Sequence, residues 1–138
     1  MKKFIAFVLL IVAMAMLFGC SMAEPTDLTG KWVLAEGENN GTSDEFQLEL
    51  NISDDVVRVD FVSDNAKVLY WYGTYEAPIE QVDEYSWISV NDPNMTSDSI
   101  LAAQTKETTI KYENDKIYFD LTEWGVTYTF VFERDAAK

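Results

Sequence analysis

Apolar and polar side chains alternate with a period of two along most of the chain beyond residue 29. Residues 46–52 show the pattern, since Phe46, Leu48, Leu50 and Ile52 are separated by polar residues. Successive side chains of a β-strand point to opposite faces, so this alternation predicts a strand with one buried face. We predict eight such strands, at residues 31–36, 46–52, 56–62, 67–76, 82–90, 107–113, 116–122 and 125–133.

Short connections rich in Asp, Asn, Ser and Gly separate most of these strands. They are residues 53–55, 63–66, 113–115 and 123–125. Such connections are typical of β-hairpins, and strands joined by a hairpin run antiparallel and side by side. The sequence therefore predicts an all-β fold, in which eight antiparallel up-and-down strands close into a barrel and so remove the exposed edges of the sheet.

Two connections are longer, at residues 37–44 and 91–106. In the second, Ser97, Asp98 and Ser99 precede an apolar stretch, which predicts a short helix capped at its start by a Ser or Asp side chain. Residues 91–98 also bring several side-chain oxygens together, but they lack the glycine and the glutamate of an EF-hand loop. We therefore predict a turn and a helix cap here, and no metal site.

The N-terminal residues have the pattern of a secretory signal peptide. Lys2 and Lys3 precede an apolar run that extends to Leu17, and Gly19 supplies a small residue at the expected cleavage point. The run of about 15 residues is shorter than the ~20 that an α-helix needs to cross a membrane, which makes a retained span the weaker alternative. We predict that residues 1–19 are a signal peptide and are removed.

The quartet Leu17-Phe18-Gly19-Cys20 resembles the lipobox of bacterial lipoproteins, and Cys20 is the only cysteine of the chain. The resemblance implies that a diacylglycerol, with acyl chains such as palmitate, is attached to the Cys20 thiol. Each buried methylene contributes about 0.8 kcal/mol, so two or three acyl chains anchor a protein permanently. The resemblance thus implies an extracytoplasmic protein anchored to a bacterial membrane, the alternative being a free thiol in a secreted protein.

The segment after the lipobox differs from the rest of the chain. Residues 20–29 show no regular apolar period and include Pro25, so we predict a lipidated cysteine followed by a short tether. The domain itself is predicted to span residues 30–135. Its roughly 110 residues are enough for one hydrophobic core and too few for two.

The chain is strongly acidic, with 24 Asp and Glu residues against 10 Lys and Arg residues and a formal charge of −14. Removal of the signal peptide takes away Lys2 and Lys3 and leaves a charge of −16. Nucleic acids and anionic lipid surfaces both bind basic faces, so we exclude nucleic acid as a partner. A cationic envelope protein would fit better, although acidity can also serve solubility alone.

The composition leaves little room for catalysis. The chain has no histidine, so neither a Ser–His nor a Cys–His pair can form, and the lipid would occupy the cysteine. Neighbouring carboxylates, Asp54 with Asp55 and Asp83 with Glu84, lie in or beside predicted turns. Solvated surface charge explains them better than the facing carboxyl groups of a glycosidase. We predict a protein that is not an enzyme and has no cofactor.

The triplet Gly30-Lys31-Trp32, at the start of the first strand, resembles the Gly-x-Trp signature of lipocalins and of small lipocalin-like bacterial lipoproteins. In that family the Trp plugs one end of the barrel, and an Arg near the end of the last strand packs over the indole. The resemblance therefore implies a lipocalin-like barrel in which Trp32 is the plug and Arg134 makes the cation–π contact. It also implies a small apolar or amphipathic ligand.

Aromatic residues are dense between positions 70 and 87. Strict alternation predicts Tyr70 and Tyr72 on one face of a strand and Trp71 and Tyr75 on the other, so that some aromatic side chains face solvent. Exposed aromatic residues beside acidic ones suit a protein-binding surface or a platform on which a sugar stacks. The alternative is that cross-strand aromatic pairs stabilise a small barrel.

Two binding hypotheses remain open. In one, the barrel is filled by its own large side chains, and its acidic, aromatic outer surface binds an envelope protein or polymer, for example as an inhibitor of a cationic hydrolase. In the other, which the lipocalin resemblance favours, the barrel mouth holds a small apolar or amphipathic ligand. Its predicted lining consists of Leu48, Leu50, Val59, Tyr70, Tyr72, Phe119, Tyr128 and Phe130.

Overall fold

The computed structural model describes residues 23–35, 47–123 and 125–136. This part of the chain is an all-β domain in which eight strands form one sheet. The predicted signal peptide and Cys20 lie outside the described residues.

Eight strands follow one another with only short connections between most of them. Their bounds agree with the predicted ones to within two residues, apart from the predicted ends at Glu36 and Phe46, which lie outside the described residues. The strands are β1 (Gly30–Leu34), β2 (Gln47–Ser53), β3 (Val56–Val62), β4 (Lys67–Thr74), β5 (Glu84–Val90), β6 (Glu107–Glu113), β7 (Lys116–Glu123) and β8 (Val126–Arg134).

The sheet order is β4-β3-β2-β1-β8-β7-β6-β5, and every neighbouring pair is antiparallel. The first and last strands pair with each other, with Trp32 opposite Arg134. The sheet curls until its two edge strands, β4 and β5, face each other. The predicted antiparallel up-and-down barrel is therefore confirmed, and the barrel is nearly closed.

The barrel has two distinct ends. One, here termed the plugged end, carries the start of β1 at Gly30, the β2–β3 and β6–β7 turns, and Arg134 at the end of β8. The opposite end carries the β3–β4 turn, the connection at residues 91–106 and the connection from β7 to β8. Successive connections along the chain therefore lie at alternate ends of the barrel, as an up-and-down topology requires.

Turn residues with a left-handed backbone join strands at the plugged end. Asn114 and Asp115 in the β6–β7 turn have φ angles of 53° and 61°. Positive φ at both central residues is typical of a type I′ turn, whose twist matches that of paired strands. Asp54 in the β2–β3 turn also has a φ of 53°. Asn and Asp tolerate this region better than most residues, which explains the acidic composition of these turns.

The junction of β4 and β5, here termed the seam, closes the barrel without a backbone ladder. Among the described residues, its backbone pairing is one isolated bridge between Gly73 and Asn91. Side chains supply other links, since Trp71 Nε1 donates a hydrogen bond to Ser89 Oγ at 3.0 Å. Buried polar groups along the seam are thus satisfied by side-chain partners instead of by regular strand pairing.

Gly73 allows the two edge strands to approach each other at the seam. A Cβ atom on Gly73 would lie 2.6 Å from Trp71 Nε1 and 2.8 Å from the carbonyl oxygen of Val90, closer than real Cβ contacts allow. Next to it, Thr74 Oγ1 accepts a hydrogen bond from the Val90 amide at 2.9 Å. The glycine is therefore required by the closeness of the backbones.

Strand β4 carries a β-bulge at Tyr70. Its pairing with β3 shifts by one residue between Val59 and Asp60, and Tyr70 is the extra residue. As a result Tyr70 and Trp71 both lie in the core, and Tyr72 lies on the outer face. The prediction that Tyr70 and Tyr72 share one face, with Trp71 on the other, is wrong because a bulge shifts the alternation of side chains by one position.

A short helix, α1 (Pro93–Thr96), lies in the connection between β5 and β6. Asp92 caps its start, with a carboxylate oxygen 2.9 Å from the Asn94 amide. The prediction of a helix after residue 99 is therefore wrong in position. Asp at the N-cap followed by Pro at the first helical position is a stronger start signal than the Ser and Asp residues at 97–99.

The same connection covers part of the free edge of β4. The Ala103 amide donates a hydrogen bond to the Tyr70 carbonyl oxygen at 2.9 Å, and the Asp92 amide donates to the Tyr72 carbonyl oxygen at 2.8 Å. Ser99 Oγ donates to a third carbonyl oxygen of β4. Covering an edge in this way protects it from pairing with another chain.

Candidate functional site

Large side chains of the protein itself occupy the interior of the barrel. Trp32, Trp71, Phe119 and Phe132 are its bulkiest fully buried residues, each exposed by 1% or less. Neighbouring rings meet edge to face, as Trp71 and Phe119 do with 5.7 Å between ring centroids. Aromatic rings of the described residues therefore occupy the space in which a deeply bound ligand would lie.

Most residues of the predicted ligand lining belong to this core. Tyr128 differs, since it lies on the same face of β8 as Phe130 but is 42% exposed at the end opposite the plug. Tyr72 lies on the outer face because of the bulge, so its assignment to an interior lining is wrong. The six that pack together in the core are Leu48, Leu50, Val59, Tyr70, Phe119 and Phe130.

Trp32 and Arg134 meet at the plugged end. The guanidinium carbon of Arg134 lies 4.2 Å from the centroid of the Trp32 ring. Arg134 also donates hydrogen bonds to the carbonyl oxygens of Thr29, at 2.5 Å, and Asp27, at 2.8 Å. Trp32 Nε1 donates to the Leu28 carbonyl oxygen at 3.0 Å. Arg134 thus links the last strand to the indole and to the segment that leads into β1.

Residues 26–29 are held against the plugged end. Thr26 donates its amide to the Glu80 carbonyl oxygen at 3.2 Å and accepts a hydrogen bond from the Val82 amide at 2.8 Å. Leu28 is fully buried in the core. The structure therefore assigns residues 26–29 to the domain, which shortens the predicted tether at its C-terminal end.

The dense aromatic residues between positions 70 and 87 are mainly core residues. Tyr75 and Trp87 pack edge to face at 5.1 Å, and Tyr85 stacks on Trp87 at 5.9 Å. Burial raises the pKa of Tyr75 to about 12. Of the six aromatic residues between 70 and 87, Tyr72 is the one that lies on the outer face. The other five mainly stabilise the part of the core beside the seam.

An open groove of about 480 Å³ runs along the outer face of β2, β3 and β4, and is here termed the outer groove. The register of these strands places Asn51, Arg58 and Tyr72 side by side in one row across it. The complete lining is Asn51, Ser53, Asp54, Asp55, Val56, Arg58, Asp60, Lys67 and Tyr72.

An ion-pair network forms one wall of the outer groove. Asp60 is 1% exposed although it lies on the outer side of β3. Its carboxylate accepts hydrogen bonds from Arg58 Nε at 2.9 Å and Arg58 Nη2 at 2.8 Å, and Lys67 Nζ lies 3.8 Å away. This fork-shaped pairing fixes the plane of the guanidinium group. The hydrogen bonds to Asp60 also raise the pKa of Arg58.

Glu49 extends this network to β1. It pairs with Lys67 at 2.9 Å and with Lys31 at 3.1 Å. Burial alone would raise the pKa of Glu49, but the hydrogen bonds from Lys67 and Lys31 outweigh burial and lower it. Lys67 is thus held by two carboxylates and does not present an isolated positive charge to the outer groove.

Sequence reasoning did not identify the outer groove. Arg58 and Asp60 are two residues apart on one strand, which predicts a shared face. Their proximity to Asn51 and Tyr72 follows only from the register of three strands and from the bulge. The sequence feature that could have indicated the groove is the run of polar residues at outward positions of β2 and β3, but exposure of these positions to solvent explains that run equally well.

Comparison of the chain with protein-family models, curated proteins and solved structures finds no match. Within the described residues, every helix is too short or too polar to span a membrane.

Proposed function

We propose that the mature protein is a lipid-anchored, extracytoplasmic binding module, without enzymatic activity, that binds its partner through the outer groove. One observation carries this proposal. Within the described residues, Trp32, Trp71, Phe119 and Phe132 fill the core of the barrel, and a barrel whose core is filled leaves its outer surface as the place for recognition. The packing thus favours surface binding over the interior ligand that the lipocalin resemblance implies.

The lipid anchor is proposed from the lipobox and agrees with the charge of the domain. A protein with a formal charge of −16 after cleavage gains no attraction to anionic lipid, so acyl chains on Cys20 would supply the membrane affinity. Because residues 26–29 belong to the domain, only the five residues 21–25 separate Cys20 from it. At ~3.5 Å per step, the six Cα-to-Cα steps from Cys20 to Thr26 span at most about 20 Å, which would hold the plugged end close to the membrane.

The anchor is tested by mass spectrometry of the N-terminal peptide, from the full chain expressed in the source organism and extracted from its membranes. We expect a peptide that begins at Cys20 and carries a diacylglycerol. A peptide that still contains Lys2, or one that begins beyond residue 20 without lipid, would refute the anchor and leave the binding proposal untouched.

The surface-binding proposal is tested by native mass spectrometry of residues 21–138, exported into the envelope of the source organism and, as a control, produced in a foreign host. We expect the bare polypeptide mass from both. An apolar molecule bound at about one per chain, and only in the material from the source organism, would contradict the proposal and restore the interior-ligand hypothesis.

A further inference from the structure

We infer that the outer groove binds neutral sugar units of an envelope polysaccharide. The inference rests on the proposed function and names its ligand class. It is carried by the arrangement of Arg58, Asp60 and Tyr72, together with the charge and polarity of the surrounding side chains.

Arg58 is oriented in advance by a buried carboxylate. Asp60 is almost inaccessible on a strand face where the other groove residues are half-buried or exposed, and it accepts two hydrogen bonds from one edge of the Arg58 guanidinium. Burial of a carboxylate is unfavourable in itself, so this pair serves orientation better than stability. Among the described residues Arg58 Nη1 has no hydrogen-bond acceptor, which leaves it available to donate to a ligand.

Tyr72 lies opposite Arg58 on the neighbouring strand. Its ring is half-buried in the groove wall, and its hydroxyl makes no hydrogen bond within the described part of the chain. An aromatic ring with a polar tip offers both an apolar surface and a hydrogen-bonding group. A sugar ring has the matching features, since it presents C–H groups on its faces and hydroxyl groups at its edge.

The remaining side chains add acceptors around this pair. Asn51 lies on the other side of Arg58, and its Oδ1 accepts no hydrogen bond within the described residues. Asp54 and Asp55 place exposed carboxylates at the plugged end of the groove. Each hydroxyl group of a sugar both donates and accepts, so a groove that mixes donors and acceptors suits it.

The groove chemistry disfavours other ligand classes. Three carboxylates, Asp54, Asp55 and Asp60, outnumber the two cations Arg58 and Lys67, which disfavours an anionic ligand. Val56 is the one aliphatic side chain of the lining, which disfavours an apolar ligand. The volume of about 480 Å³ lies in the range of about 300–1,000 Å³ that is typical of small-molecule sites.

The test is NMR titration of ¹⁵N-labelled residues 21–138 with oligosaccharides, prepared by digesting the envelope polysaccharides of the source organism and separated from charged fragments. We expect amide shifts concentrated at Asn51, Arg58 and Tyr72. The variants Tyr72→Ala and Arg58→Gln should each weaken binding by about tenfold or more, as is usual for anchor residues of a binding site. Binding should change little between low and high salt, because the ligand is neutral.

Tyr118→Ala is the matched control, since Tyr118 is a half-buried tyrosine on the outer face of β7 and lies outside the groove. It should bind like the unmodified protein, and thermal melts should show that all variants are folded. The absence of shifts with every neutral fraction would overturn the inference. So would shifts at the groove with an oligolysine peptide that vanish at high salt, which would identify a cation site.

The two proposals fail in different ways. An interior ligand in native mass spectrometry would refute the argument from a filled core on which the proposed function rests, whereas shifts at the outer groove with neutral oligosaccharides would still demonstrate binding there. A bare interior together with no response to neutral oligosaccharides would leave surface binding intact and refute only the sugar assignment.

Discussion

Gly73 forms the isolated backbone bridge of the seam with Asn91, so replacing it with alanine tests how the barrel closes. The new Cβ would lie 2.6 Å from Trp71 Nε1 and 2.8 Å from the Val90 carbonyl oxygen. Overpacking of this kind costs about 1–3 kcal/mol. Moving Trp71 away from Ser89 would also break a buried hydrogen bond, which costs about 1–3 kcal/mol when the donor is left without an acceptor.

Alanine has a compensating advantage, because glycine within a strand is less stable by about 0.5–1 kcal/mol. Taking the middle of each range, the net expectation is that Gly73→Ala lowers the free energy of unfolding by about 3 kcal/mol. For a domain of this size that corresponds to a decrease in Tm of roughly 10–20 °C. Urea titration of residues 21–138, followed by tryptophan fluorescence and by circular dichroism, measures the loss directly.

Gly125→Ala is the matched control. Gly125 has a φ of 78°, and a Cβ there would meet no atom within 4 Å. Its substitution should therefore cost only about 1–2 kcal/mol of backbone strain, with no steric clash. The reasoning about the seam is refuted if Gly73→Ala is no more destabilising than Gly125→Ala. Ser89→Gly should cost less in the Gly73→Ala background than in the unmodified protein, because there the Trp71–Ser89 hydrogen bond is already broken and the change removes an atom that the new Cβ would meet.

Substitutions at three further residues test the plugged end and the titrating groups. Arg134→Ala should lower the free energy of unfolding by about 1–3 kcal/mol, since it removes the contact with Trp32 and two hydrogen bonds, and Arg134→Lys should recover less than half of that loss in urea titrations. The pKa of Tyr75 is raised to about 12, so its contribution to stability is complete below its unfolded pKa of ~10 and is lost as the pH rises through 12. Tyr75→Phe should therefore lose less stability between about pH 10 and 12 than the unmodified protein, and equal losses would contradict this. The pKa of Glu49 is lowered, so its contribution is present above its unfolded pKa of ~4.3 and is lost as the pH falls through the folded pKa. Glu49→Gln should reduce the loss in the free energy of unfolding as the pH falls below about 4. An unchanged loss would show that the pairs with Lys67 and Lys31 contribute nothing.

The strands and their turns could be predicted from the sequence because both depend on neighbouring residues. Alternation at period two defines a half-buried strand within seven residues, as in β2 (Gln47–Ser53). The Asn114 and Asp115 pair specifies a tight turn through its tolerance of positive φ. Strand order followed from these two features, since strands joined by hairpins lie side by side.

The filling of the barrel could not be decided from the sequence. Inward residues such as Phe119 and Phe130 are equally suited to line a cavity or to close it, because the composition of a strand does not give the diameter of the barrel. The hydrogen bonds between Thr26 and the loop that joins β4 to β5 likewise depend on residues that are 54 and 56 positions apart along the chain. Only the assembled core shows that these side chains meet one another.

The outer groove could not be predicted from the sequence either, because it also depends on which strands pair and in what register. The alternation within β4 (Lys67–Thr74) predicts one face for Tyr70 and Tyr72, but the bulge against β3 separates them and brings Tyr72 beside Arg58. A shift of one residue in register moves every following side chain to the other face, and register depends on the partner strand. The local pattern therefore determined which segments are strands, whereas the pairing of β2, β3 and β4 determined which polar side chains form a site.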